Sequence, residues 1–99
     1  MADIPRTDIR HEEAGHRGSF FFERDGKRLA EMTYSRANAG LVIIDHTEVS
    51  KELAGQGMGR KLLDAAVQWA RQTQTKVMVT CSFANAQFDK DPSIRDVLA

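Results

Sequence analysis

The stretch Ala54-Gly55-Gln56-Gly57-Met58-Gly59 places three glycines at alternate positions between two patterned segments. After it, Met58, Leu62, Ala65, Ala66 and Trp69 recur on one helical face, with Arg60, Lys61, Asp64, Gln68 and Arg71 on the other. The spacing predicts a helix from Met58 to about Gln72, and Trp69 at that spacing reads as core. Before the loop, Leu41–Val49 reads as a strand. Its first half, Leu41-Val42-Ile43-Ile44, is apolar on both faces and predicts cover on both sides. Its second half, Asp45-His46-Thr47-Glu48, is polar, the pattern of a strand that delivers side chains to a site. A glycine loop so placed leaves successive backbone amides open beside the positive end of the helix dipole, which suits an anion and best a phosphate. Arg60 and Lys61 fit that reading, because cations in a first turn oppose the dipole unless an anion compensates. The alternative is a glycine-rich turn that holds nothing. Two other phosphate loops fail on spacing: no Ser or Thr follows Lys61, as a Walker A loop requires, and the glycines run G-x-G-x-G rather than G-x-G-x-x-G.

Working outward, Asp25-Gly26 is a type I′ hairpin signal between strands at Ser19–Arg24 and Lys27–Ser35. Asn38-Ala39-Gly40 turns the chain into the third strand, so that the three form an antiparallel meander. Residues 1–18 are mostly polar, with only Ile4 and Ile9 to bury, and read as a partly irregular arm with one short strand near Ile9. Past the helix, Val77, Val79, Cys81 and Phe83 alternate, which predicts a strand over Lys76–Phe83. A short helix over Asn85–Lys90 and a last turn at Ser93–Leu98, opened by Pro92, complete the chain. The expected order is β-β-β-α-β-α, with a right-handed crossover between Val49 and Val77. The fold class is mixed α/β (α+β), with a four- or five-stranded, mostly antiparallel sheet.

The 99 residues allow one domain, over 1–99. Fourteen basic against fourteen acidic residues leave no net charge, which argues against a nucleic-acid-binding domain. The longest apolar run, Leu41–Ile44, is far too short to span a bilayer, and the N-terminal residues lack the pattern of a secretory signal. One cysteine, Cys81, allows no intrachain disulfide and no multi-cysteine zinc site, so the expected home is a reducing cytoplasm. His11 and His16 beside Glu12 and Glu13 lack a third well-placed ligand, and no metal is expected. An exposed sheet edge leaves a monomer or a weak homodimer as the expected state.

The loop resembles the acetyl-CoA-binding motif of the GCN5-related N-acetyltransferases, [QR]-x-x-G-x-[GA], with Gly57 and Gly59 at the second and third anchors and Ala54 at the first. The run His46-Thr47-Glu48-Val49, the loop, Thr80-Cys81-Ser82-Phe83 and Pro92 together resemble a small, truncated subgroup of that family. The resemblance covers the second half of the chain. It implies transfer of an acetyl group from acetyl-CoA, the co-substrate, to an amine, without metal. It also implies that Val49, Gly55, Gln56, Gly57, Met58, Gly59, Arg60 and Phe83 hold acetyl-CoA. The pantetheine arm is expected where the strand near Glu48-Val49 splays from the strand near Cys81, with a backbone N–H near Val49 polarising the thioester carbonyl. His46 is a candidate base, Glu48 a carboxylate acting through water, and Cys81 a thiol that accepts or orients the acetyl group. Their structural alternatives are a hydrogen-bonded strand histidine, a surface carboxylate and an inert packed thiol. The wider family often carries a tyrosine general acid after the last strand; here that region holds Gln87 and Phe88. The rival function is a CoA-binding or protein-interaction module without turnover. The acceptor amine is not legible, whether small molecule or protein.

Overall fold

A computed structural model of the chain describes residues 8–99; Ile4 lies outside them. Five strands, β1 (Arg10–Ala14), β2 (Arg17–Arg24), β3 (Lys27–Asn38), β4 (Leu41–Val49) and β5 (Lys76–Val79), form one sheet in sequence order. The first four pair antiparallel, and β4 pairs parallel to β5. The crossover between those two runs through a 3-10 turn at Lys51–Leu53 and helix α1 (Met58–Thr73). Helix α2 (Ser82–Lys90) and a 3-10 segment, Pro92–Val97, follow β5. Both residues of the Asp25-Gly26 turn have positive φ, 53° and 76°, as a type I′ hairpin requires. The apolar stripe of α1 lies across β2, β3 and β4. Met58, Leu62 and Leu63 from the helix, Met32, Tyr34 and Val42 from the sheet, and Leu53 from the 3-10 turn are the largest fully buried side chains of the core.

The structure refines the sequence reading at several places. The short strand expected near Ile9 is β1, and the arm around it is a hairpin rather than irregular: β1 pairs with β2 from Arg10↔Phe21 to Ala14↔Arg17, closed by Gly15-His16. Every residue of β1 is exposed, so this edge strand has no apolar alternation to betray it. The strand predicted to Phe83 stops at Val79, and α2 starts at Ser82 rather than Asn85. Cys81 caps that helix and Phe83 lies in its first turn, so the apolar alternation outlasts the strand. In β4, Val42 and Ile44 are buried, whereas Leu41 and Ile43 are only half covered. Trp69 packs against the core, as its spacing predicts, but is only half buried, with its ring stacked against Tyr34 at 5.5 Å.

The sheet face away from α1 is polar. There Arg28 lies 3.6 Å over the ring of Phe21 and is held by Glu31 at 2.6 Å and Glu12 at 2.9 Å. Asp45 accepts from Thr33 and Arg17, each at 2.6 Å; those bonds outweigh its partial burial and hold its carboxyl below the usual range.

β1 is fastened to the sheet by His11. Its ring stacks on Phe20 at 4.3 Å, meets Trp69 edge-on at 5.0 Å, and places Nε2 2.7 Å from the Tyr34 hydroxyl. Partial desolvation of the stacked ring, although the residue as a whole is exposed, is the largest influence on its pKa and lowers it; Glu13 and Glu12 pull it up, Arg36 pulls it down, and the result lies below 6.5. A folded-state pKa below the unfolded one means that the fold favours the neutral ring. That stabilisation is complete above pH 6.5 and is lost as the pH falls through the lower, folded value. Unfolding midpoints measured from about pH 8 to about pH 5 are therefore expected to drop on the acid side, with His11→Gln lacking that component. Parallel profiles for the two proteins would remove His11 as its source.

Candidate active site

The site begins where two parallel strands part. β4 and β5 are paired from Leu41↔Lys76 to Ile44↔Val79. The amides of Thr80 and Cys81 then both donate to the Ile44 carbonyl, at 2.9 and 3.3 Å, and the chain turns away into α2. β4 continues to Val49 along β3 with no strand partner on its other side among the described residues. A groove of about 380 Å³ opens at this fork, lined by Thr47, Val49, Leu53, Ala54, Gly55, Gly57, Met58, Gly59 and Phe83. Its walls are mainly apolar side chains and its rim is backbone.

The rim is the glycine loop. Gly55 and Gly57 have φ of 80° and 69°, the left-handed region that L side chains rarely adopt, and Gly57 is the N-cap of α1. The first helical bond joins the Lys61 amide to the Gly57 carbonyl at 3.1 Å, so the amides of Met58, Gly59 and Arg60 precede any intrahelical acceptor. No side chain caps them, and the first turn carries no acidic residue. Open amides, the positive helix end and an apolar trough beside them suit a ligand with a phosphate at one end and a flexible apolar arm. Phe83 packs on the loop: a Cβ at Gly59 would lie 2.8 Å from its ring.

Of the eight residues expected to hold the cofactor, Val49, Gly55, Gly57, Met58, Gly59 and Phe83 line the groove. Gln56 and Arg60 do not. The Gln56 amide donates to the Leu53 carbonyl at 3.3 Å, and the Arg60 guanidinium is held by Asp64, Gln87 and Asp91. Thr47 and Leu53 were missed, and Ala54, expected only as the first anchor of the motif, lines the groove as well; Thr47 was recoverable, since it lies two residues before Val49 on the same strand face.

Cys81 is a buried free thiol whose Sγ lies 3.2 Å from Thr47 Oγ1, so it sits directly behind the groove wall. His46 and Glu48 are elsewhere. A bulge at Asp45 pairs Thr33 with His46 and Tyr34 with Ile44, so Asp45 and His46 both face the polar side. Thr47 and Val49 face α1, whereas His46 and Glu48 lie on the opposite face, 3.8 Å apart and largely exposed. The fork thus places Cys81 behind the groove wall, against Thr47, and leaves the His46–Glu48 pair across the sheet. Tyr34, the only tyrosine, is buried among Phe20, His11 and Trp69, and burial pushes its hydroxyl up to about 12. None of those rings lines the groove. No cluster of His, Cys, Asp or Glu suited to a metal ion occurs among the described residues, and no helix there is long and apolar enough to cross a membrane.

The sequence profile of the GCN5-related N-acetyl-transferase family matches residues 19–97. The solution structure of a GCN5-like protein from Staphylococcus aureus is 35% identical, with a TM-score of 0.68 over 94% of this chain and 90% of that one. The ribosomal-protein-S18-alanine N-acetyltransferase of Escherichia coli matches at a TM-score of 0.64 and 16% identity, over 79% of this chain and 53% of that enzyme. An aminoglycoside N-acetyltransferase in complex with CoA matches at 0.56 and 15%, over 76% and 78%. At those identities the two enzymes show likeness of fold alone. No curated protein matches the sequence.

Proposed function

The chain belongs to the GCN5-related N-acetyltransferase family, and from that premise we propose that it transfers the acetyl group of acetyl-CoA to an amine. The observation that carries the reading is the groove at the β4–β5 fork, rimmed by the open amides of Met58 and Gly59 and walled by Val49, Leu53, Met58 and Phe83. The rim suits the pyrophosphate and the trough the pantetheine arm. The CoA carried by the aminoglycoside N-acetyltransferase of like fold supports this choice of ligand. Acetyl-CoA supplies the activated acyl group. The chain's part is to bind it, to present a backbone N–H near Val49 toward the developing oxyanion, and to handle protons.

Cys81, behind Thr47, is the group proposed to accept or orient the acetyl group. His46 with Glu48 is proposed as the proton acceptor for an amine that arrives from the polar face beside the unpaired half of β4. The lone thiol accords with a reducing cytoplasm. One feature favours the second reading, a CoA-binding or interaction module without turnover: the helix after the last strand carries no tyrosine, and Tyr34 is locked in the core.

Amine-dependent release of the free CoA thiol, measured across polyamines, aminoglycosides and lysine peptides, separates the two. Turnover with at least one amine class is expected, and Cys81→Ala is expected to lower it at least about tenfold while acetyl-CoA still binds. Unchanged turnover in Cys81→Ala would exclude the thiol from the chemistry. Binding without turnover on any amine would favour the module.

A further inference from the structure

We propose that Arg60 is a positioning residue: it clamps α2 to the first turn of α1 and so holds Phe83 in place as a wall of the groove. What fills the groove rests on the acetyl-CoA reading above; the clamp concerns this chain alone.

A cation in the first turn of a helix faces the positive end of the dipole and needs an anion close by. For Arg60 the anions are internal. Nε donates to Asp64 one turn along, at 2.9 Å, Nη1 donates to Gln87 Oε1 at 3.1 Å, and Nη2 pairs with Asp91. Each nitrogen of the planar fork thus serves a different acceptor, an arrangement that a lysine ammonium does not reproduce. Asp91 is itself fixed, because its other oxygen accepts from the amide and hydroxyl of Ser93, at 2.9 and 2.6 Å. Side-chain exposures of 33% for Arg60 and 27% for each carboxylate put the network between a freely solvated pair and a buried one.

The consequence for the groove follows from where the partners sit. Gln87 and Asp91 lie at the far end of α2, and Phe83 lies at the near end against Gly59. Neighbouring residues of α1 therefore grip both ends of α2: Gly59 by contact and Arg60 by the clamp. Without the clamp α2 keeps its buried Ala84 and Phe88 and the Arg95 bonds to the carbonyls of Phe88 and Asp89. It loses its polar tie to the first turn of α1, and Phe83 is less firmly held against Gly59.

Three variants test this: Arg60→Lys, Asp91→Asn and the two combined. Asn keeps an acceptor for Ser93 and loses the one for Arg60. Two readouts are needed: the nuclear Overhauser contact between the Phe83 ring and the Gly59 α-protons without ligand, and CoA affinity by calorimetry. Each single variant is expected to weaken the contact and to reduce affinity about tenfold, with the combination no worse than either alone. Melting curves confirm that the variants are folded. If Arg60 instead meets the phosphate directly, Asp91→Asn releases it toward CoA and affinity holds or rises; that result overturns the proposal. An undiminished Phe83–Gly59 contact in both single variants overturns it as well. Should the wild type bind no CoA, the ligand-free contact still decides the clamp, and the failure belongs to the acetyl-CoA reading.

Discussion

Gly18→Val is expected to lower the unfolding midpoint by roughly 10–20 °C, from about 3 kcal/mol of overpacking in a domain of this size. Gly18 faces Tyr34 directly across β2 and β3. The Tyr34 ring folds back over it, so that a Cβ at position 18 would lie 2.2 Å from Cζ and 2.4 Å from the hydroxyl oxygen. The ring has nowhere to go. Tyr34 is 1% exposed, packs between Phe20 and Trp69, and shares a 2.7 Å hydrogen bond with His11 on β1. A side chain at position 18 must therefore open the core or break the tie that fastens the edge strand. Circular dichroism melts compare the two proteins. A midpoint within about 3 °C of the wild type would mean that the ring relocates at little cost, contrary to this picture of the three-strand junction.

Gly57→Val is expected to cost about 2 kcal/mol of stability and at least tenfold in acetyl-CoA affinity. A Cβ at position 57 would meet only open space, so sterics against neighbours are not the problem. The backbone is: at φ of 69° a β-branched residue is strained. Relief requires rotation of the N-cap, which turns the amides of Met58 and Gly59 away from the groove. The stability loss and the affinity loss then share one cause. Titration calorimetry on the folded variant reads the second directly, and wild-type affinity would show that the rim amides do not hold the ligand.

How much of this was legible follows from where each signal lies in the chain. The glycine loop, α1 and the β2–β3 hairpin announce themselves through short-range spacing, which is the information that a single sequence carries best. The end of β5 did not, because Cys81 and Phe83 continue a strand-like alternation while facing the core and the groove from a cap and a helical turn. The short strand expected near Ile9 is β1, but its full extent and its pairing with β2 were hidden for the opposite reason. As an edge strand exposed along its whole length, it is held by backbone pairing and His11, neither of which needs an apolar pattern. In the site, most groove residues follow from the loop motif and the polar end of β4. The partners of Arg60 do not: Gln87 and Asp91 are 27 and 31 residues away, and only the fold brings them together. The bulge at Asp45, which sends His46 to the face away from Cys81, is likewise set by pairing with β3 rather than by any residue type that marks a bulge.

The most direct test of the central claim is thermal unfolding with acetyl-CoA, beside CoA, ATP and NAD. A ligand at 100 times its dissociation constant stabilises a fold by about 2.7 kcal/mol, worth roughly 10–20 °C here. Such a shift is expected with acetyl-CoA and CoA, none with NAD or ATP at equal concentration, and a much smaller one in Gly57→Val. No shift with acetyl-CoA up to millimolar concentration would leave the fold intact and contradict the assignment of the groove.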